Sequence, residues 1–133
     1  MRVLIDSNVL FSSALNPNGT PFKAYVKAVS SPNTGIICQQ NIDELRRTFN
    51  RKLPDKIALL ESFLAISMTA LEIVTVPNRE YDIEKCVRDP DDRPILRAAI
   101  HAKADVIITS DRDLLEASID HPLICTPSQF LEM

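Results

Sequence analysis

At 133 residues the chain is long enough to bury one hydrophobic core and too short for two ordinary domains, so residues 1–133 are read as a single domain. Apolar residues make up 45% of it, yet no run approaches the ~20 needed to cross a bilayer, which excludes a helical membrane span. A net charge of −3 excludes a nucleic-acid binder that relies on its own basic surface, because such a surface neutralises phosphates with Lys and Arg.

Met1 and Arg2 lead directly into Val3-Leu4-Ile5, which reads as a strand rather than a secretory leader, so a cytoplasmic location is expected. Pro21 to Val29 reads as a helix with Pro21 suited to its first turn. Gly35 to Cys38 is strand-like and leads to a helix near Asn41 to Asn50. A second helix starts at Pro54 and carries Ile57, Leu60, Phe63, Leu64 and Met68. It is apolar round much of its circumference as far as Leu71, with Leu59 and Ile66 included, so it suits either a buried core helix or a protein interface. Ile73 to Val76 is a further strand. Asp92 to Lys103 reads as a helix, Val106 to Thr109 as a strand and Asp113 to Ala117 as a short helix. Leu123 to Cys125 is expected as an edge strand before a last turn at Ser128 to Leu131. Strands alternating with helices predict a single three-layer α/β/α domain with a mostly parallel sheet. The continuous apolar run Val106-Ile107-Ile108 fits a sheet covered on both faces.

Several chemistries are set aside by what the sequence lacks. Cys38, Cys86 and Cys125 form no C-x-x-C pair, and each is expected to be buried or half-buried. His101 and His121 do not supply zinc-ligand spacing. Neither of the two glycines lies in a phosphate-cradling pattern.

The acidic residues carry more. In open α/β sheets, ligands bind beyond the carboxyl ends of the strands, where strand order reverses. Asp6 follows Val3-Leu4-Ile5, and Asp111 follows Val106 to Ser110, so both are expected at that edge. Each equally suits a local cap or turn. In Arg88-Asp89-Pro90-Asp91-Asp92-Arg93-Pro94, the next helix has its apolar stripe at Ile95, Leu96, Ala99 and Ile100, with Arg97 and His101 facing away. At roughly 100° per residue Asp92 falls on that stripe and Asp91 to one side, and an N-cap also explains Asp92. Glu44 lies away from the apolar face Ile42, Leu45 and Phe49, and shares a face with Arg47 and Arg51. It is either an exposed ion-pair partner or a carboxylate at a cleft rim backed by arginines that meet phosphates. Carboxylates crowded together stay ionised chiefly around a hard cation such as Mg²⁺ or Mn²⁺, which would also supply the positive charge the chain lacks. That arrangement suits phosphodiester hydrolysis.

These residues together resemble the PIN domain family and, within it, the VapC-like toxins of bacterial and archaeal toxin–antitoxin systems. The likeness is carried by Val3-Leu4-Ile5-Asp6-Ser7-Asn8-Val9-Leu10, by Glu44-Leu45, by Asp89-Pro90-Asp91-Asp92, and by Ile107 through Leu115. It implies a parallel sheet with a central acidic cleft, a Mg²⁺- or Mn²⁺-dependent endoribonuclease, and often a homodimer inhibited by an antitoxin. By position, Asp6, Glu44, Asp92 and Asp111 correspond to the acidic quartet, Asn8 to a polar residue near the first Asp, and Asp113 to an additional acid. Ser7 stands where Thr is commoner and Ser110 where Gly is common. No carboxylate is lost by either change.

Two other readings compete. Phosphatases that form an aspartyl-phosphate after the first strand need a second acid two residues on, and Asn8 cannot serve there. A non-catalytic RNA- or protein-binding module would keep the acids as caps only.

Overall fold

The computed structural model describes all 133 residues. β1 (Arg2–Ile5) leads into α1 (Ser7–Leu15) and α2 (Thr20–Val29). β2 (Thr34–Cys38), α3 (Gln39–Lys52), α4 (Ile57–Ser67) and β3 (Leu71–Val74) follow. After a long connection come α5 (Arg93–His101), β4 (Val106–Ile108), α6 (Arg112–Leu115), β5 (Leu123–Cys125) and α7 (Pro127–Leu131). The five strands form one wholly parallel sheet in the order β3-β2-β1-β4-β5. The chain builds outward from β1 to β3 on one side and returns to lay β4 against the other side of β1. That reversal opens a crevice at the carboxyl ends of β1 and β4.

Alternating side chains divide between two cores, as a sheet buried on both faces requires. Val3, Ile5, Ile37, Val106 and Ile108 point into a core shared with Leu10, Ala24, Leu45, Phe49, Leu64 and Phe130. Leu4, Ile36, Cys38 and Ile107 point to the other face, against Ile95, Leu96, Ala99 and Leu114. Three layers result, with α5 and α6 on one side. At Gly35 in β2 a Cβ would stand 2.7 Å from Leu71 Cδ2 and 2.9 Å from Val29 Cγ1, so glycine permits the close approach of these elements.

Several expectations need correction. The helix α1 was not foreseen, because the three serines in Ser7–Leu15 are weak helix formers. Its start is fixed by Asp6, whose side chain accepts from the Ser7 amide. The segment after Pro54 opens as one 3₁₀ turn, α4 stops at Ser67, and Leu71 begins β3 two residues before the expected strand. Only one face of α4 is buried, through Leu60, Leu64 and Ser67, while Leu59 and Ile66 are exposed. Cys86 is exposed, unlike Cys38 and Cys125. Arg97 does not face solvent: its side chain is 13% exposed and pairs at 2.9 Å with Glu84, itself 3% exposed. That pair, with Arg93 Nε donating to the Val87 carbonyl at 3.0 Å, clamps the connection before α5 onto the helix.

Candidate functional site

Asp6 is the buried centre of the crevice. It sits one residue beyond β1, with its backbone amide donating to the Ile108 carbonyl at 3.0 Å. Its Oδ1 accepts from the Ser7 amide at 2.8 Å and from Asn41 Nδ2 at 3.0 Å. Its Oδ2 accepts from the Thr109 hydroxyl at 2.7 Å and from Asn8 Nδ2 at 3.3 Å. Burial raises the Asp6 pKa and the nearby charge of Asp111 adds to it, while the Thr109, Ser7 and Asn41 donors pull the other way. Asn41 is fully buried and leaves its own Oδ1 without a partner. Such an orphan costs about 1–3 kcal/mol, but the reversed amide would set oxygen against oxygen at Asp6.

Thr109 and Asn8 tie the second strand end to the first. Thr109 Oγ1 accepts from the Asp111 amide at 3.0 Å, and Asn8 Oδ1 accepts from the Ser110 amide at 3.1 Å. Asp111 then caps α6 by accepting from the Asp113 amide at 2.9 Å. For Asp6 and Asp111 the cap and the cleft position therefore coincide. For Asp92 they do not. It stands at the N-cap of α5 without a side-chain cap bond, and the capping carboxylate nearby is Asp89, which closes the preceding 3₁₀ turn (Pro90–Asp92) by accepting from the Asp91 amide at 3.0 Å.

One cavity of about 520 Å³ is lined by Asp6, Glu44, Asp92 and Asp111, together with Asn8 and Arg47. Residues separated by as much as 105 positions thus share a single acidic cleft. Glu44 reaches it from the side of α3 turned away from the core. The charge of Arg47 favours the Glu44 carboxylate, but burial first, then Asp6, raise its pKa overall. The ion pair on α3 belongs instead to Arg46, 3.0 Å from Glu61. Arg51 and Ser110 are exposed and do not line the cleft. Asp113 pairs with Arg88 at 2.7 Å, and its carboxylate falls in a group with Asp89 and Asp92 whose oxygens lie within 4.8 Å of one another.

The Asp92 carboxyl is pushed up to about 7 by burial, by the charge of Asp111 and a hydrogen bond to it, and by Asp89 and Asp6. Without a counter-charge, therefore, a proton sits among these carboxylates near neutral pH. Every acid facing the cleft offers hard oxygen donors, and no thiolate or imidazole lines it. That donor set fits Mg²⁺ or Mn²⁺ and would replace the proton with a cation.

Thr109, Asn41 and Asp89 were missed as site residues by sequence reasoning. Asp89 lay in plain view within the run Asp89-Pro90-Asp91-Asp92. Thr109 and Asn41 are ordinary as sequence, since neither periodicity nor charge marks a neutral side chain that donates to a buried carboxylate.

The PIN domain family pattern matches residues 2–113. The chain belongs to the PIN domain family. Its relatives include an uncharacterized protein of Methanocaldococcus jannaschii, MJ1680, which is 27% identical over 99% of this chain and 90% of its own length. The PIN fold here is also similar to solved structures. The structure of VapBC2 from Rickettsia felis bound to a DNA fragment from its promoter aligns with TM-score 0.69 at 17% identity, over 94% of this chain and 97% of that one. PAE2754 of Pyrobaculum aerophilum gives TM-score 0.62 at 15% identity over 99% and 94%. VapC20 of Mycobacterium tuberculosis, a sarcin-ricin loop cleaving toxin, gives 0.53 at 13% over 79% and 86%. At these identities the likeness speaks for the three-layer fold.

Proposed function

We propose that this PIN domain is a Mg²⁺- or Mn²⁺-dependent endoribonuclease and the toxin of a toxin–antitoxin pair. The observation that carries the reading is the convergence of Asp6, Glu44, Asp92 and Asp111 on one cleft at the strand-order reversal, crowded enough to hold a proton near neutrality. When bound, the cation supplies Lewis acidity at the phosphodiester and the positive charge that a chain of net charge −3 lacks.

The protein's own groups do the rest. Asp6, Asp92, Asp111 and Glu44 would hold the ion. Asp113 and Asp89 widen the acidic surface beside Asp92. Arg47, at the rim, meets the phosphate backbone, with the exposed Arg51 one helical turn further along α3. Thr109 and Asn41 keep the buried Asp6 carboxylate oriented.

RNA as substrate and a separate antitoxin as partner are supported by the fold shared with VapC20 and VapBC2. A homodimer working in the cytoplasm completes the reading. It is tested by incubating the purified protein with single-stranded RNA in Mg²⁺, Mn²⁺ or EDTA. Cleavage is expected with either cation, lost in EDTA, and reduced about 100-fold or more in Asp6→Asn. Undiminished cleavage by Asp6→Asn, or in EDTA, overturns it in favour of a binding module.

A further inference from the structure

Beside the acidic cleft, and sharing Ser7, Asn8 and Glu44 with it, lies a second hollow of about 280 Å³ between α1 and α3. Its outer part is formed by Phe11 and Ser12 from α1 and by Thr48 and Lys52 from α3. Glu44, Thr48 and Lys52 recur every fourth residue, so they form one stripe that runs about 6 Å further from the cleft at each step. Six of the eight lining residues are polar, which argues against an apolar helix as occupant. Its size is near the lower end of small-ligand pockets, about 300 Å³, which suits one planar ring system rather than a longer ligand.

From this arrangement we infer that the hollow receives one nucleobase of the RNA, adjacent to the phosphate held in the acidic cleft; the inference rests on the nuclease reading above. Phe11 supplies the aromatic surface. It is half-buried, and Phe49 braces its ring at a centroid distance of 5.1 Å, so the ring is already ordered before a base arrives. Stacking of this kind accepts any base, whereas the hydroxyls of Ser12 and Thr48 offer hydrogen bonds to a base edge and set preference. Lys52 is exposed, about 12 Å along the helix from Glu44, and is placed to meet the next phosphate of the same strand. The acidic cleft thereby fixes where the chain is cut, and the α1–α3 hollow fixes which nucleotide stands beside the cut.

The test separates binding from cleavage. With the wild-type protein in Ca²⁺, an oxygen-ligand cation without the strict octahedral geometry of Mg²⁺ and used here to hold the strand uncut, affinity for a fluorescently labelled single-stranded RNA hexamer is measured by anisotropy, together with hexamers carrying one abasic nucleotide at each position in turn. Removal of one particular base is expected to weaken binding about tenfold. Adding Phe11→Leu, which keeps an apolar side chain against Phe49, should weaken the intact hexamer by a similar factor and abolish the sensitivity to that base. Lys52→Ala, at an exposed position, should lower the salt dependence by about one released ion. The subsite is overturned if base removal costs the same with and without the Phe11→Leu substitution, if it costs nothing in either protein, or if the hexamer does not bind. Cleavage by the wild-type protein tests the nuclease reading alone. Phe11-dependent binding by a protein that cuts nothing would keep the subsite and discard the nuclease, and cleavage indifferent to Phe11 would do the reverse.

Discussion

Thr109 donates its hydroxyl hydrogen to Oδ2 of Asp6 at 2.7 Å, a bond between residues 103 positions apart. Because the same hydroxyl oxygen accepts from the Asp111 amide, one side chain fixes both the β1 carboxylate and the turn that carries the β4 carboxylate. Thr109→Val keeps the shape and removes the hydroxyl, leaving the buried Asp6 carboxylate and the part-buried Asp111 amide each one partner short. The expected outcome is a loss of about 1–3 kcal/mol in denaturant unfolding and about tenfold weaker Mn²⁺ binding by calorimetry. Thr109→Ser should restore most of both. A Val variant with unchanged Mn²⁺ affinity would show that the hydroxyl does not position the site.

Cation binding should be linked to proton release. The folded Asp92 carboxyl keeps its proton up to about 7, whereas an unfolded Asp releases it near ~3.9. The raised folded value means that this group favours the metal-free fold below about pH 4 and loses that contribution as pH rises through 7. Calorimetry of Mn²⁺ binding at pH 6 should therefore depend on the ionisation enthalpy of the buffer, and hardly so at pH 8.5. Asp92→Asn should raise the melting temperature of the metal-free protein at pH 8 by about 4 °C, allowing for partial solvent screening. No buffer dependence at pH 6 would contradict the crowding of these acids.

The Glu84–Arg97 pair titrates in the opposite sense. Burial alone would raise the Glu84 pKa, but hydrogen bonds from Arg97 and the Tyr81 amide, with the charges of Arg97 and Arg93, hold it below the ordinary range. Its stabilisation is complete above the unfolded Glu value of ~4.3 and disappears as pH falls through the lower folded value. Arg97→Ala strands a buried carboxylate and is expected to cost about 2–3 kcal/mol at neutral pH. Its acid unfolding should begin from that lower stability but fall less steeply below about pH 4. Equal slopes for the two proteins would assign the cost to packing.

Lys103 has φ 58° at the end of α5, where its amide donates to the Ile100 carbonyl and the Ala104 amide to the Ala99 carbonyl. This is a helix end that favours glycine. Lys103→Gly should stabilise the protein by about 1 kcal/mol, read as a higher urea midpoint with the same slope. An unchanged or lower midpoint would mean that the Lys103 side chain compensates.

The strands were legible wherever the sheet is buried on both faces, because Val3 to Ile5 and Val106 to Ile108 are uninterrupted apolar runs whose following carboxylates mark the edge. β3 was displaced in the reading because Ile73 is exposed at 42% while Leu71 is buried, so hydrophobicity misplaced the start. Arg97 was misread because a helical wheel assigns charge to water, and the Glu84 that receives it lies on a separate 3₁₀ turn (Asp82–Cys86). Asp6 and Asp111 stood out because each follows a buried strand, whereas Glu44 and Asp92, equally readable as an ion-pair partner and an N-cap, were singled out only by the resemblance to the PIN domain family. Thr109 and Asn41, which hold Asp6, become visible only once β1 and β4 are adjacent.

The order in which the strands lie has a consequence during synthesis. β1 emerges first from the ribosome but cannot acquire its β4 neighbour until residues 106–108 have been made, and Asp111 arrives later still. A nascent chain carrying only the first three strands has Asp6 and Glu44 but lacks the far wall of the cleft. The cleft is therefore complete only once most of the chain has been translated.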